Sequence, residues 1–438
     1  MPLLEGLEGD QLEVAKSVQD WVNSDFTGMF IRIGGFAGTG KTFLLAKLCN
    51  YFYEEEKLRV NVATPTGAAA ERVRAMLRKA EIRAPEVSTL HKFLYGAPKE
   101  VKTTLTQDFH RGGEDDLAWK LKSRDEFDCD VIIVDESSMV SKKLFEDLMS
   151  LKIPVLFFGD HAQLPPVEEG FNLMDNPPFR LEQIRRQAAG NPIIELSRYV
   201  REEGRLPYRI TDTSSEFIQD MRHKGHRDKV QFAHDLGMTR RSGSTVTICA
   251  TNADRVLINR LIRHGRGLPG HPVRGDSVIC LRNKESTYFR PEPNDRDFHK
   301  ARLFDNPVFN GMRGTILRVQ EVDQGILSLY VYFKDSKVFY ASYAIAQQFN
   351  IESTLSYSYV RENYAKVVSD RAGCPLRGSA RYPALFDYAY AITCHKSQGS
   401  QWDTVFVVTK RSTVMDNDSW KRWLYTAVTR SSRRLVLL

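Results

Sequence analysis

One segment near the start of the chain has the residue types and spacing of a phosphate-binding loop. It reads GFAGTGKT, and it follows the apolar run MFIRIGG and precedes the helical pattern TFLLAKLCNYFYEE. Small residues let backbone N–H groups surround phosphate oxygens at the start of a helix. A lysine can then reach the β- and γ-phosphates, and the next threonine can hold Mg²⁺. We therefore expect ATP and Mg²⁺ to bind here, at Gly35, Ala37, Gly38, Thr39, Gly40, Lys41 and Thr42.

A second apolar run, VIIVDE, ends in the adjacent acidic residues Asp135 and Glu136. The first carboxylate is suited to bind Mg²⁺ through water, and the second to orient and deprotonate an attacking water. By itself, an acidic pair after a strand is more often part of a turn. The phosphate loop in the same chain favours the catalytic interpretation, with Thr42 and Asp135 as the metal-binding residues.

Two glutamines are further candidates for the nucleotide site. Gln163 lies in GDHAQLPP, which follows the apolar run PVLFFGD, and its neutral amide could distinguish ATP from ADP near the γ-phosphate. Gln11 lies in GDQLEVA near the start of the chain and could read an adenine edge. For Gln11, a surface side chain without a ligand remains an equal alternative.

These residues follow apolar strand patterns that alternate with helical patterns. Short buried strands separated by helices predict an α/β fold with a parallel sheet and helices on both of its faces. Ligands bind at the carboxyl ends of the strands in such sheets, where the candidate residues lie. A second α/β unit begins near residue 180, where STVTICATNADRVLINRLIR again gives a strand and then a helix.

Two stretches do not follow this alternation of strand and helix patterns. Residues 96–122 are polar, with Gly112 and Gly113 between two short segments, and predict an inserted hairpin. Residues 265–384 contain short alternating strands such as GTILRVQEV and LSLYVYF, and predict an inserted small β-barrel-like module.

Composition is that of an ordinary globular protein with two to four domains, since 438 residues contain 42% hydrophobic and 27% charged residues. No apolar run approaches the ~18 residues of a membrane span, and MPLLEGLEGDQLEV lacks the order of a signal peptide. We expect a cytoplasmic protein without a membrane partner.

The six cysteines form no C-x-x-C pair, which argues against a zinc site or a disulfide framework. A net charge of +7 is compatible with a polyanionic partner.

Together these strings resemble superfamily 1 DNA helicases, in the branch that contains RecD-like enzymes and the phage helicase Dda. The matching strings, in the order of the family's motifs, are GFAGTGKT, ATPTGAAA, STLHKFL, DESSM, GDHAQLPPV, LEQIRRQ, AITCHKSQGSQWDTV and LYTAVTR. The resemblance implies two RecA-like P-loop domains, residues 1–179 and 180–438, with ATP in the cleft between them. The hairpin would be inserted into the first domain and the β-rich module into the second.

The resemblance also assigns residues. Arg186 and Arg430 match two arginines that reach the γ-phosphate, and Arg185 beside Arg186 leaves that assignment open by one position. Lys41, Glu136 and Gln163 complete the implied catalytic set. The implied contacts to single-stranded DNA are Pro65, Thr66, Thr89, His91, His395, Lys396 and Ser397.

Aromatic residues could serve the strand in two ways. Phe93, Trp402 or Trp423 could stack on bases, although core packing is the more common role of such residues. The family's inserted hairpin acts as a wedge at the duplex fork, and Phe109 or Trp119 could form its tip.

The resemblance implies an ATP-dependent DNA helicase that moves along single-stranded DNA, 5′ to 3′, and unwinds duplex forks. We expect a monomer, with replication or recombination proteins as candidate partners, and the host-cell cytoplasm as its location if a phage encodes it. Two alternatives stay open: a single-strand translocase that does not unwind productively, and a P-loop ATPase that acts on a small molecule or another protein. No feature of the sequence indicates a reader of the ribose 2′-hydroxyl, so RNA is the lesser candidate.

Overall fold

The computed structural model describes residues 4–82, 86–95, 99–100, 117–118, 121–166, 170–185, 190–210, 217–225, 245–282, 308, 310–334, 338–372 and 383–438. The chain divides into two compact units. The first unit comprises Met1–Leu94, Leu121–His223 and Cys394–Leu438, and the second comprises Tyr95–Lys120 and Lys224–Thr393. None of the helices in the described ranges combines the length and apolar character that a membrane crossing requires.

Helices occur in both units. In chain order the α-helices of the described residues are α1 (Gly9–Asn23), α2 (Lys41–Asn50), α3 (Gly67–Lys79), α4 (Leu90–Tyr95), α5 (Lys142–Ser150), α6 (Pro192–Glu203), α7 (Asn252–Gly265), α8 (Tyr357–Ala372), α9 (Cys394–Ser397) and α10 (Asn417–Val428). A π-helical segment, Tyr51–Glu55, extends α2. The short 3₁₀ segments within the described ranges are Arg124–Glu126, Ser137–Met139 and Ala346–Gln348.

The strands of the described residues range from two to eleven residues in length. In chain order they are β1 (Phe30–Gly35), β2 (Val60–Thr64), β3 (Glu86–Thr89), β4 (Lys99–Glu100), β5 (Leu117–Ala118), β6 (Val131–Val134), β7 (Val155–Gly159), β8 (Phe179–Leu181), β9 (Ile218–Asp220), β10 (Thr245–Cys249), β11 (Ser277–Cys280), β12 (Arg313–Asp323), β13 (Ile326–Phe333), β14 (Val338–Ile345), β15 (Phe386–Tyr388), β16 (Ala391–Thr393), β17 (Trp402–Val407) and β18 (Ser431–Leu437).

A six-stranded parallel sheet forms the centre of the first unit. Its strand order is β3-β2-β6-β7-β1-β8, and each neighbouring pair runs parallel. Strands β2, β6 and β7 are buried along their whole length, which fits apolar strands covered on both faces. The predicted α/β fold with a parallel sheet is confirmed.

Helices pack on both faces of this sheet. On one face, residues of α1, α2 and α3 form a continuous core with the strands, as Val18, Leu48 and Val73 do with Phe158. On the other face, the Phe145 ring of α5 lies 5.9 Å from the ring of Phe157. Phe157 is adjacent to Phe158 in the strand and therefore points to the opposite face of the sheet. The loops at the carboxyl ends of the strands are thus held by a packed scaffold.

The first unit also contains the parallel strands β9, β18 and β17, in that order. Helix α10 lies against helix α6 and strands β17 and β18. Two caps fix the ends of α6: the Asn191 side chain accepts from the Ile193 backbone at its start, and Gly204 ends it with a φ of 70°. The last helix of the chain therefore belongs to the same unit as the phosphate loop.

The second unit is built mainly on an antiparallel sheet of strand order β14-β13-β12-β11-β15. An isolated parallel bridge joins Ala344 of β14 to Ala384, two residues before β15. In the same unit, β10 pairs in parallel with β16, and α7 packs beside both. The small β-barrel-like module at 265–384 falls in this part of the chain and stays a prediction, as does the division into domains at residue 180.

The predicted hairpin at 96–122 lies mostly outside the described residues. Within them, β4 and β5 pair antiparallel, with Lys99 opposite Ala118 and Glu100 opposite Leu117. The two candidate tip residues, Phe109 and Trp119, lie outside the described residues. The hairpin and its wedge therefore stay predictions.

Candidate nucleotide-binding site

The phosphate loop connects β1, which ends at Gly35, to α2, which begins at Lys41. Two glycines in it adopt left-handed backbone angles, with φ of 81° at Gly38 and 82° at Gly40. A Cβ atom at Gly40 would lie 2.4 Å from Nε2 of Gln11. Glycine at this position therefore satisfies both the backbone angle and the close approach of a neighbouring side chain.

Gln11 on α1 is buried and donates from Nε2 to two carbonyls of the loop, those of Thr39 at 3.0 Å and Gly40 at 3.3 Å. The sequence placed Gln11 at the nucleotide site, and the structure brings it to the loop. Because its amide nitrogen is engaged with loop carbonyls, Gln11 also shapes the loop. Adenine recognition by Gln11 stays a prediction.

The Lys41 ammonium group folds back onto the loop. Its Nζ donates to the carbonyls of Gly35 at 2.6 Å and Phe36 at 3.0 Å, and lies 3.9 Å from Oδ2 of Asp160. Backbone carbonyls thus hold the positive charge next to the loop amides. The oxygen atoms of a bound phosphate would replace these carbonyls as partners of the Lys41 ammonium group.

Asp135 and Glu136 follow β6 and are both buried. The Glu136 backbone is left-handed, with a φ of 54°. Its side chain forms an ion pair with Arg72 of α3, whose Nη2 also lies 3.8 Å from Oδ2 of Asp135. That Asp135 oxygen is buried and has no hydrogen-bond partner among the described residues, so it is free to accept from a metal-bound water.

The two carboxyl groups differ in their affinity for a proton. Burial raises the pKa of Asp135 to about 6, and the charge of Glu136 adds to this effect. Burial also acts to raise the pKa of Glu136, but the charges of Arg72, Arg430 and Lys41 outweigh burial and lower the pKa to about 2. Glu136 is therefore the stronger acid of the pair, and Asp135 is the carboxyl group that takes up a proton first as the pH falls.

Asp160, which directly follows β7, is fully buried and joins three parts of the site. Its Oδ2 accepts from the Tyr425 hydroxyl at 2.8 Å and from Nε2 of Gln163 at 3.2 Å. The Tyr425 hydroxyl in turn accepts from the backbone N–H of Ala37 in the phosphate loop at 2.9 Å. One tyrosine of α10 therefore connects the loop to the carboxylate that orients Gln163.

The residues that follow Asp160 are fixed by the C-terminal part of the chain. Arg422 donates to the His161 carbonyl at 2.8 Å, Thr426 accepts from the Leu164 amide at 3.0 Å, and Gln398 donates to the Leu164 carbonyl at 2.8 Å. Oε1 of the intervening glutamine, Gln163, is buried without a hydrogen-bond partner in the described residues. An unpaired acceptor held this firmly suits a residue that responds to a bound ligand.

Arg430, Arg186 and Arg185 are the arginines predicted to reach the γ-phosphate. Arg430 is buried and donates to the carbonyls of Thr426 at 3.1 Å and Ser400 at 3.3 Å, and its charge acts on Glu136. Arg186 lies outside the described residues. The neighbouring Arg185 donates from its backbone to the Gly38 carbonyl at 3.0 Å. The phosphate loop is thus in direct contact with the position beside the predicted one.

The Arg185 guanidinium is held on the amino-terminal side of α1. It donates to the Glu8 carbonyl at 2.7 Å and to Oδ1 of Asp10 at 3.1 Å. Together with Gln11, these contacts anchor the beginning of the chain against the loop.

Two of the residues predicted to contact the strand lie at the start of α3. Pro65 is half-buried, and the Thr66 side chain caps the helix by accepting from the Ala69 amide at 3.2 Å. Gly399, which follows the HKSQ string, lies against this cap, because a Cβ there would be 2.7 Å from Oγ1 of Thr66. The structure therefore brings the ATPTG and HKSQG strings together.

The remaining predicted strand contacts lie in α9 and around α4. His91 and His395 are half-buried, and burial lowers the pKa of each imidazole, which favours the neutral form. Thr89 caps α4 through the Lys92 amide at 3.3 Å, and Ser397 donates to the Cys394 carbonyl at 2.6 Å. Lys396 is half-buried.

The aromatic candidates for base stacking are buried, as the core-packing alternative expects. Phe93 packs on Phe127 with ring centroids 4.8 Å apart, and Trp423 is fully buried and stacked on Trp420 at 5.0 Å. Trp402 is buried as well. The rings of these three residues therefore pack in the protein interior.

Sequence reasoning missed Arg72, Asp160 and Tyr425. Asp160 and Tyr425 lie inside the quoted strings GDHAQLPPV and LYTAVTR, so the signal was present without a role attached. Arg72 lies two residues after ATPTGAAA, and nothing in its spacing relates it to Glu136, 64 residues later.

Two family models match the chain in the parts that build this site. A model described as an AAA domain matches residues 15–219, and one described as a UvrD-like helicase C-terminal domain matches residues 388–438. The ATP-dependent RecD2 DNA helicase of Deinococcus radiodurans is 23% identical over 448 residues, covering 99% of this chain. In these regions the chain is similar to RecD-like superfamily 1 helicases.

Other helicases match the chain over shorter stretches. The ATP-dependent DNA helicase dda of Enterobacteria phage T4 is 31% identical over 183 residues, which are 39% of this chain and 37% of that protein. The match to the Deinococcus RecD2 helicase spans 51% of its length. The chain thus spans about half or less of the length of these relatives.

Among solved structures, a Bacteroides Pif1 bound to single-stranded DNA covers 100% of this chain and 92% of its own, with 17% identity and a TM-score of 0.48. An overlay with so low a score carries no conclusion about function.

Proposed function

We propose that this chain is an ATP-dependent DNA helicase that moves along single-stranded DNA and unwinds duplex DNA, with 5′-to-3′ travel. The observation that carries the proposal is the hydrogen-bonded path from Ala37 through Tyr425 to Asp160 and Gln163. A motor must transmit the state of its nucleotide to other parts of the protein. This path links phosphate-loop backbone to a side chain suited to sense the γ-phosphate.

In the proposed reaction, the loop amides and Lys41 bind the phosphates of ATP. Glu136 orients and deprotonates the attacking water, and Gln163 distinguishes ATP from ADP. Mg²⁺, when bound, neutralises charge that develops on the phosphates. The unpaired buried oxygen of Asp135 fits that ion, and Asp135 and Thr42 are the residues that would hold it.

Positive charge from arginines would complete the site by stabilising the transferred phosphoryl group. Arg430 and Arg186 are proposed for this role within an arrangement of two RecA-like domains, 1–179 and 180–438. Arg185 contacts the loop through its backbone N–H, and its guanidinium is held by Glu8 and Asp10, which favours Arg186 for this role.

On the strand side, the proposal assigns contacts to seven residues. The cap at Thr66 and the approach of Gly399 support a continuous surface at the start of α3. Short polar groups of this kind suit phosphate contacts that do not depend on base sequence. The proposed set is Pro65, Thr66, Thr89, His91, His395, Lys396 and Ser397. We propose that the protein acts as a monomer in the cytoplasm, on forks where replication or recombination proteins also work.

The experiment that tests this function is ATP hydrolysis with and without single-stranded DNA, followed by unwinding of duplexes with a 5′ or a 3′ tail. We expect stimulation by the single strand and unwinding only from 5′ tails. Unwinding only from 3′ tails would reject the proposed direction. Stimulation without strand separation would favour a translocase, and hydrolysis unchanged by DNA would favour a P-loop enzyme with a different substrate.

A further inference from the structure

Arg72 on α3 forms an ion pair with the proposed catalytic base. Its Nη2 pairs with Oε1 of Glu136 and lies 3.8 Å from Oδ2 of Asp135. The exposed fraction of the side chain is 31% for Arg72, 8% for Glu136 and 5% for Asp135. The pair is therefore well shielded from water, where charge-assisted hydrogen bonds are strong.

Such a pair opposes the chemistry assigned to Glu136. A general base must lie within hydrogen-bond reach of the water that it deprotonates, and it must gain a proton in the transition state. An arginine bonded to the carboxylate occupies one of its oxygens, so that oxygen is not available to the attacking water. Such a contact would slow hydrolysis for as long as it lasts.

Helix α3 connects Arg72 to the proposed strand-binding surface. The helix begins directly after Thr66, and Arg72 lies six residues further on, about 9 Å along the axis. Its first turn is fixed by the Thr66 cap and covered by Gly399. A displacement of this end by a bound strand would move Arg72, because a short helix shifts as a unit.

We propose that Arg72 is a positioning residue that restrains Glu136 in the DNA-free protein, and that strand binding at the start of α3 releases it. The inference rests on the proposed ATPase and strand-binding function. In this proposal, Arg72 is the residue through which a DNA strand that does not touch the nucleotide stimulates hydrolysis.

The test compares ATP hydrolysis by Arg72 variants without DNA and with saturating oligothymidylate. Arg72→Gln should raise the rate without DNA by at least about fivefold, the lower end of ordinary couplings between sites. The ratio of stimulated to unstimulated rate should fall by a similar factor. Arg72→Lys keeps the charge but loses the planar fork, so its ratio should lie between those of Arg72→Gln and the wild type.

Arg74→Gln is the matched control. Arg74 lies on the same helix, pairs with Glu71 and the Val87 carbonyl, and has no assigned part in the site. Its loss should leave both rates as in the wild type. Thermal unfolding and nucleotide binding establish that each variant is folded, and Arg72→Met is a second charge-deleting variant that keeps part of the apolar stem.

Two results would overturn the proposal. One is a folded Arg72→Gln or Arg72→Met protein whose unstimulated rate equals that of the wild type. The other is an equal fall of both rates, which would make Arg72 a contributor to catalysis. If DNA fails to stimulate the wild type, the proposed function fails, whereas the unstimulated rate of Arg72→Gln still reports on the restraint of Glu136.

Discussion

The phosphate loop and the proposed strand-contacting segments lie in one unit but hold their polar groups in different ways. At the loop, the partners are far apart in sequence: Ala37 and Tyr425 are separated by 388 residues and Gln11 and Thr39 by 28. At the strand-contacting segments, the bonds of Thr66 and Ser397 reach only three residues along the chain. Changes at the loop should therefore disturb several elements at once, whereas changes at the strand side should reach the nucleotide site through α3 and Arg72.

The largest expected effect is that of Lys41→Ala. Loss of the cation that approaches the phosphates should reduce ATP hydrolysis by at least about 100-fold, comparable with the loss of one transition-state donor in other enzymes. Binding of single-stranded DNA, measured by fluorescence anisotropy, should be largely kept. Lys142→Ala, which removes an exposed lysine paired with Glu146, is the control. Equal loss of strand binding in a folded protein would contradict the separation of the two regions.

Gly40→Ala should follow. A left-handed backbone costs a non-glycine residue roughly 1–2 kcal/mol, and the new methyl group would displace the Gln11 amide from the loop. We expect about tenfold weaker nucleotide binding, which corresponds to about 1.4 kcal/mol. Gly28→Ala is matched to it, since Gly28 has a φ of 85° and open space around it. If both variants bind nucleotide equally well, the contact with Gln11 does not shape the loop.

Tyr425→Phe tests the long-range path directly. Removing the hydroxyl leaves the Ala37 amide without its partner and Asp160 with one donor fewer, at a cost of about 1–3 kcal/mol. Steady-state kinetics should show a lower kcat/KM for ATP, with strand affinity unchanged. Tyr390→Phe also removes a buried tyrosine hydroxyl bonded to an aspartate, Asp276, but in the second unit. A similar kinetic loss in both variants would mean that general destabilisation is the cause.

Thr66→Ala should have the smallest effect. It removes a helix cap worth about 1 kcal/mol and one proposed strand contact. The concentration of single-stranded DNA that half-stimulates hydrolysis should rise severalfold, with ATP affinity unaltered. Thr251→Ala removes the equivalent cap of α7, where Oγ1 accepts from the Asp254 amide at 3.0 Å, and should not change the response to DNA. A loss of ATP affinity in Thr66→Ala would show that the strand side also supports nucleotide binding.

Much of the fold could be predicted because its signals are local in sequence. Short apolar strands, helical periodicity and glycine spacing specify the α/β pattern, the phosphate loop and the acidic pair after VIIVDE, each within a window of about ten residues. The antiparallel pairing of β11 with β15 was harder to predict from the sequence. Its register depends on residues as distant as Ile279 and Asp387, and no local pattern states which strands meet.

The sequence by itself determined which residues could perform the chemistry: the loop from Gly35 to Thr42, Asp135, Glu136 and Gln163. Only the tertiary structure decided what holds them, namely Gln11 on the loop carbonyls, Tyr425 between Ala37 and Asp160, and Arg72 on Glu136. The physical reason is that a backbone motif is encoded by neighbouring residues. The charge and hydrogen bonding of a buried group depend instead on whichever side chains folding brings within a few ångströms.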